Sequence, residues 1–135
     1  MATIQRFEDL QSWQKARQLA NAVYDLTAQP GFAKDFKLRD QIRDAAGSVM
    51  HNIAEGFDSG TDPEFIRFLK IARRSASEVQ SELYLALDRK YIAPQDLKAA
   101  YDLATEAKRL INGMIAYLRK QSSSCTVGKP HKSVK

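Results

Sequence analysis

The stretch from Leu38 to Gly56, LRDQIRDAAGSVMHNIAEG, leaves this chain little choice of fold. Leu38, Ile42, Ala45, Val49 and Ile53 recur at steps of four, three, four and four, the spacing of one stripe along an α-helix. Ala45, Ala46 and Gly47 are small, so a second backbone can approach closely there. Gly47 costs about 1 kcal/mol against alanine inside a helix, and close packing is the expected compensation. Gly56 follows the last apolar position and suits a left-handed C-terminal cap. Asn52 and Glu55 share one face of the last turn, and Glu55 sits where the helix macrodipole disfavours negative charge. Two readings stay open for this pair: they tie down the following loop, or they form a small polar site at the end of a helix bundle.

Three more amphipathic stretches flank the central one. Residues 7–28 are expected to form a first helix, with Phe7 ahead of the acidic Glu8 and Asp9 and a stripe of Leu10, Trp13, Ala16, Ala20, Val23 and Leu26 or Thr27. Pro30 and Gly31 should end it, and Phe32 and Phe36 should plug the bundle end. After the loop FDSGTD, Asp62 is the expected N-cap and Pro63 the first helical residue of a third helix reaching about Lys90. Its core stripe is Phe65, Phe68, Leu69, Ala72, Ala76, Val79, Leu83 and Leu87. Ile66, Ile71, Tyr84 and Leu85 fall off that stripe, and a second apolar face on a surface helix predicts an oligomer interface at these four residues. Pro94 opens a fourth helix to about Lys120, with Leu97, Tyr101, Ala104, the stem of Lys108, Ile111, Ile115 and Leu118 as its stripe. Four helices with short connections predict an all-α, antiparallel up-and-down four-helix bundle over residues 1–120. Residues 121–135, polar and without periodicity, read as a basic flexible tail.

Charge and cysteine content narrow the function. The chain carries a net charge of +5, but residues 1–120 contribute only +2 and the tail the remaining +3. No apolar run is long enough to span a bilayer, and MATIQRFEDL lacks the apolar core of a signal peptide. Cys125 is the single cysteine, which excludes an internal disulfide and fits a cytoplasmic setting.

Catalytic constellations are sparse. His51 and His131 are the only histidines. His51 with Glu55 offers two ligands on one helix face, too few to hold a metal. A di-metal bundle needs Glu-x-x-His pairs on two helices, and none exists. Glu78 and Glu82 could be paired acids, but an exposed pair or an inter-helix hydrogen bond explains them as well. Ser75 and Ser77 have no base nearby in sequence, and Cys125 reads as a passive thiol. No metal, cofactor or small-molecule substrate is expected. An enzyme would have to use Asn52, Glu55 and Glu78 as its polar site. The basic residues are more suggestive: Arg67, Lys70, Arg73 and Arg74 within two turns of the third helix, Lys108 and Arg109 on the fourth, and Lys129 and Lys132 in the tail. Each cluster alone could be a solvated helix face, whereas several copies in one particle would attract nucleic acid without reading sequence.

These residues together resemble the 23S rRNA-intervening-sequence proteins. The matching pieces are Phe7-x-x-Leu10-x-x-Trp13-Gln14-Lys15-Ala16, Leu38-x-x-Gln41-Ile42-Arg43-x-Ala45-x-x-Ser48, Asn52-Ile53-Ala54-Glu55-Gly56, and Glu64-Phe65-x-x-Phe68-Leu69-x-x-Ala72-x-x-Ser75 with Glu78. The resemblance makes Asn52, Glu55, Gly56, Ser75 and Glu78 a polar motif of structural importance. It implies a four-helix bundle assembled as a ring-like homopentamer. Similar bundles are accessory proteins of diversity-generating retroelements that bind a reverse transcriptase and nucleic acid. Asp44 stands where relatives often carry a basic residue, and QPGFAKDF replaces a usual Pro-x-Glu, which weakens basic surface around the second helix. The expected function is a non-enzymatic homo-oligomeric accessory protein associating non-specifically with nucleic acid or a nucleoprotein. The alternative is a protein–protein scaffold without nucleic-acid binding.

Overall fold

The apolar stripes meet in one core. A computed structural model describes residues 3–124, with side chains through residue 121. The order is a 3-10 turn (Phe7–Asp9), α1 (Gln11–Thr27), a short α2 (Pro30–Lys34), α3 (Phe36–Phe57), α4 (Asp62–Asp88) and α5 (Pro94–Ser124). No strand occurs among the described residues. The long helices form a ring in which α1 meets α3, α3 meets α4, α4 meets α5, and α5 returns to α1. Side-chain pairs show that α4 runs opposite to both α3 and α5. Along α4 and α5, Arg73 meets Asn112, Ser77 meets Lys108, Gln80 meets Thr105 and Tyr84 meets Tyr101. Between α3 and α4, Ser48 meets Ser75 while Phe57 meets Phe65. The centre is filled by fully buried Leu19, Val23, Ile42, Ile53, Phe57, Phe65, Leu69, Leu83, Ile111 and Leu118.

Several boundaries differ from the sequence reading, each for a local reason. The first helix does not begin at Phe7. Leu10 is extended (φ −73°, ψ 127°), and this break turns its side chain into the core, where only 3% remains exposed. Phe7 then packs edge-on against Trp13 at 5.2 Å. Pro30 opens α2 instead of ending a helix. Phe32 is fully buried and stacks on Tyr91 at 5.3 Å, but Phe36 is 65% exposed, with the Arg39 guanidinium 4.9 Å above its ring. Only Phe32 plugs the bundle end. Asp35 joins the two halves of that end: its Oδ1 accepts the Leu38 N–H at 3.2 Å as the cap of α3, and its Oδ2 accepts the Tyr91 hydroxyl at 2.9 Å.

Gly56 is not a left-handed cap. It lies inside α3, and a Cβ there would stand 2.8 Å from Phe68 Cβ and 2.9 Å from Phe65 Cδ1. The glycine is needed for the close approach of α3 and α4. Gly47, expected to have that role, has only the His51 ring at an ordinary 3.6 Å. The left-handed turn of the α3–α4 loop is made by Gly60 at φ 103°. Thr61, not Asp62, caps α4 by accepting the Glu64 N–H at 3.3 Å, so Asp62 and Pro63 are its first two residues. At the other end of α4, Lys90 adopts φ 63°, and the Tyr91 N–H bonds back to the Ala86 carbonyl at 2.9 Å, a Schellman closure. Pro94 opens α5 as expected, and the helix continues through Ser124, past the expected boundary at residue 120. The rest of the expected tail, with Cys125, Lys129, His131 and Lys132, lies outside the described residues.

Candidate nucleic-acid interface

A helix repeats every 3.6 residues, so Arg73, Ser77 and Tyr84 of α4 turn towards α5 while Arg74 lies on the outer side. The α4–α5 seam opens there into a groove of about 390 Å³ lined by Lys70, Arg73, Arg74, Ser77, Lys108 and Asn112. Arg73 Nη1 donates to Asn112 Oδ1 at 2.8 Å. Lys108 Nζ donates to Ser77 Oγ at 3.1 Å and to Gln80 Oε1 at 2.8 Å. The buried Gln80 amide is held in turn, with its Nε2 donating to Thr105 Oγ1 at 2.9 Å and to the Tyr101 carbonyl at 3.3 Å. These anchors are neutral, so they orient the two cations without cancelling their charge. Lys70 and Arg74 are exposed and join no ion pair among the described residues. Four of the expected cations, Lys70, Arg73, Arg74 and Lys108, are thus gathered with no carboxylate lining the groove.

Arg67 and Arg109 are not gathered with them as free charges. Arg67 binds both carboxylate oxygens of Glu64, at 3.0 and 3.1 Å, and its guanidinium lies 4.5 Å over Phe68. Arg109 pairs in the same way with Glu106, Nε to Oε1 at 2.9 Å. Each hydrogen-bonded arginine holds its glutamate below the usual carboxylate range. The signal for this was present in sequence as a glutamate three residues earlier. Asn112 and Ser77 were invisible as groove residues because their role depends on the register between two helices.

The Asn52-Ile53-Ala54-Glu55-Gly56 segment works between helices. Asn52 Nδ2 donates to the Ser48 carbonyl at 2.8 Å and to Ser48 Oγ at 2.9 Å, and Ser48 Oγ shares a hydrogen bond of 2.9 Å with Ser75 Oγ on α4. One turn on, Gly56 makes the contact with Phe65 and Phe68. Glu55 is exposed and takes no part in this chain. The loop is held by Ser59, whose Oγ donates to the Gly56 carbonyl at 2.6 Å, so neither Asn52 nor Glu55 secures it. Glu78 lies further along the seam, in a shallow groove with Gln41, Asp44, Ala45, Ser48 and Ser75. One turn beyond, burial and the nearby Glu78 push the Glu82 carboxyl up to about 7. Asn52, Glu55 and Glu78 do not converge on one pocket. Among the described residues, no three His, Cys, Asp or Glu side chains gather as a metal site requires, and no helix is long and apolar enough to cross a membrane.

The four off-stripe apolar residues divide between two sides of α4. By helical spacing Ile66 and Tyr84 turn towards α5, and Ile71 and Leu85 towards the α3 side. Ile66 is half-buried against the core, Tyr84 packs edge-on against Tyr101 at 5.8 Å, and Leu85 remains 49% exposed. These four residues therefore lie on more than one side of α4.

The family model described as 23S rRNA-intervening sequence protein matches residues 8–113, from the turn before α1 well into α5. Among solved structures, a protein with unknown function from the S23 ribosomal protein family of Bacteroides thetaiotaomicron shares the fold. It is 24% identical, covers 78% of this chain and 95% of its own, and superposes with a TM-score of 0.72. The sequence matches none of the curated proteins compared with it.

Proposed function

The chain belongs to the 23S rRNA-intervening sequence protein family, and from that premise we propose that it is a non-enzymatic, homo-oligomeric accessory protein, pentameric and cytoplasmic, that associates with nucleic acid or a nucleoprotein. One observation carries the reading: Lys70, Arg73, Arg74 and Lys108 line one groove without a carboxylate. Two of the four are held in place by neutral hydrogen bonds. A polyanion entering the groove meets two cations, Arg73 and Lys108, already partly buried and oriented, so binding them costs little ordering entropy. Nothing in the groove resembles a base-reading motif, so binding is sequence-indifferent and salt-sensitive.

The test is fluorescence anisotropy with labelled oligonucleotides. Combined Lys70→Glu, Arg73→Glu and Arg74→Glu should weaken binding by at least about tenfold at low salt and lower the salt slope by about two to three. Unchanged affinity in a folded triple variant would remove the groove from the assignment. The second reading is a protein–protein scaffold without nucleic-acid affinity, favoured by the exposure of Leu85 and Phe36. It predicts that the parent protein binds no oligonucleotide at physiological salt.

A further inference from the structure

The α4–α5 seam has two chemically different ends. The cationic end holds Lys70, Arg73, Arg74 and Lys108. Seven residues beyond Ser77, about 10 Å along the helix at 1.5 Å per residue, Tyr84 stands beside the same seam. It is 50% exposed, and Tyr101 holds it edge-on, with ring centroids 5.8 Å apart and planes at 72°. That contact leaves ring surface of Tyr84 open to solvent. Between the two ends the α5 wall is neutral at Thr105, which binds the Gln80 amide. Past Tyr84 the charge is mixed: Asp88 follows one turn later on α4 and is exposed, next to the exposed Arg89 and Lys90, and Asp102 on α5 pairs with Lys98 at 2.9 Å.

We infer that this seam takes single-stranded nucleic acid, with phosphates on Lys70, Arg73, Arg74 and Lys108 and an unpaired base stacked on Tyr84. The inference rests on the nucleic-acid reading above and narrows its ligand class. Phosphate is favoured at the cationic end, where four cations line one groove without a carboxylate, whereas beside Tyr84 the charges are mixed. An uncharged aromatic base suits the tyrosine end, and a single strand supplies both groups a few nucleotides apart. A duplex keeps its base faces stacked inside and presents phosphate along its whole length, so it can satisfy only the cationic end.

The experiment uses the full chain and mixed-sequence 12-nucleotide RNA and DNA, each as a single strand and as a duplex, read by anisotropy over a salt series. Tyr84→Ala should weaken single-strand binding about tenfold, while Tyr84→Phe should retain it. Arg74→Glu should weaken both forms and reduce the salt slope. In a Tyr84→Trp variant, single strands should quench a fluorescence component absent from the parent, whose Trp13 lies on α1. Single strands of either sugar binding in this way support the inference. Equal binding of single strands and duplexes, unaffected by Tyr84→Ala, overturns it while leaving the groove as a phosphate site. Loss of all binding in the parent protein overturns the nucleic-acid reading itself.

Discussion

At Gly56 a methyl group has no room. The backbone of α3 passes so close to α4 that a Cβ would stand 2.8 Å from Phe68 Cβ and 3.3 Å from the Phe65 carbonyl oxygen. Gly56→Ala should therefore destabilise the protein by about 1–3 kcal/mol, despite the better helix propensity of alanine, because buried aromatic rings have to move. Gly47→Ala is the matched control. Its Cβ would meet only the exposed His51 ring at 3.6 Å, so propensity decides and the variant should gain up to about 1 kcal/mol. Urea denaturation of both variants tests the pair, and opposite signs are the expected result. The same local geometry explains the surrounding polar residues. Asn52 reaches back to Ser48, which reaches across to Ser75, so the pentapeptide brings a hydrogen-bonded bridge and a tight crossing to successive turns of α3.

At the scale of elements, the α3–α4 seam contains a built-in pH response. Glu82 lies one turn from Glu78, and Asp44 on α3 lines the same stretch of the seam as Glu78. Burial first, and the Glu78 charge second, raise the Glu82 carboxyl from its ordinary 4.5 to about 7. Between those values the folded protein keeps a proton that the unfolded chain has released, so stability falls as pH rises through this window and levels off above it. Glu82→Gln removes the response. The variant should match the parent near pH 5 and exceed it by about 1 kcal/mol at pH 8, after allowing for solvent screening at a partly exposed site. Denaturation at several pH values checks the crossover. The element pattern itself was legible because burial imposes helical spacing on each stretch separately: Leu38, Ile42, Val49 and Ile53 are all in the core. What stayed hidden depends on two elements at once. The Arg73–Asn112 and Lys108–Gln80 bonds exist only in the α4–α5 register. Gly56 was misread because a terminal glycine satisfies either a cap or a close crossing, and only the neighbouring helix distinguishes them. The break at Leu10 was hidden for the same reason, since its extended backbone serves core burial rather than helix continuity.

For the whole molecule, the proposed assembly has a direct measurement. Five copies of 15.2 kDa give a particle of about 76 kDa, and light scattering after size exclusion should find that mass at micromolar concentration. A 15.2 kDa particle would remove the pentamer and with it any gain from multiplying the +5 charge. Nucleic acid added at low salt should increase the mass, and rising salt should reverse the increase. One feature of α4 shapes how such an encounter begins. The groove on its α5 side gathers Lys70, Arg73 and Arg74 with Lys108 of α5, and the groove on its α3 side holds Glu78 with Asp44 of α3. Opposite charges on the two sides of α4 give this face of the bundle a local transverse dipole. A polyanion therefore exerts a torque on the protein before touching it, rotating the cationic flank inward, and this orienting step fades as ions shorten the field to about 8 Å at physiological salt.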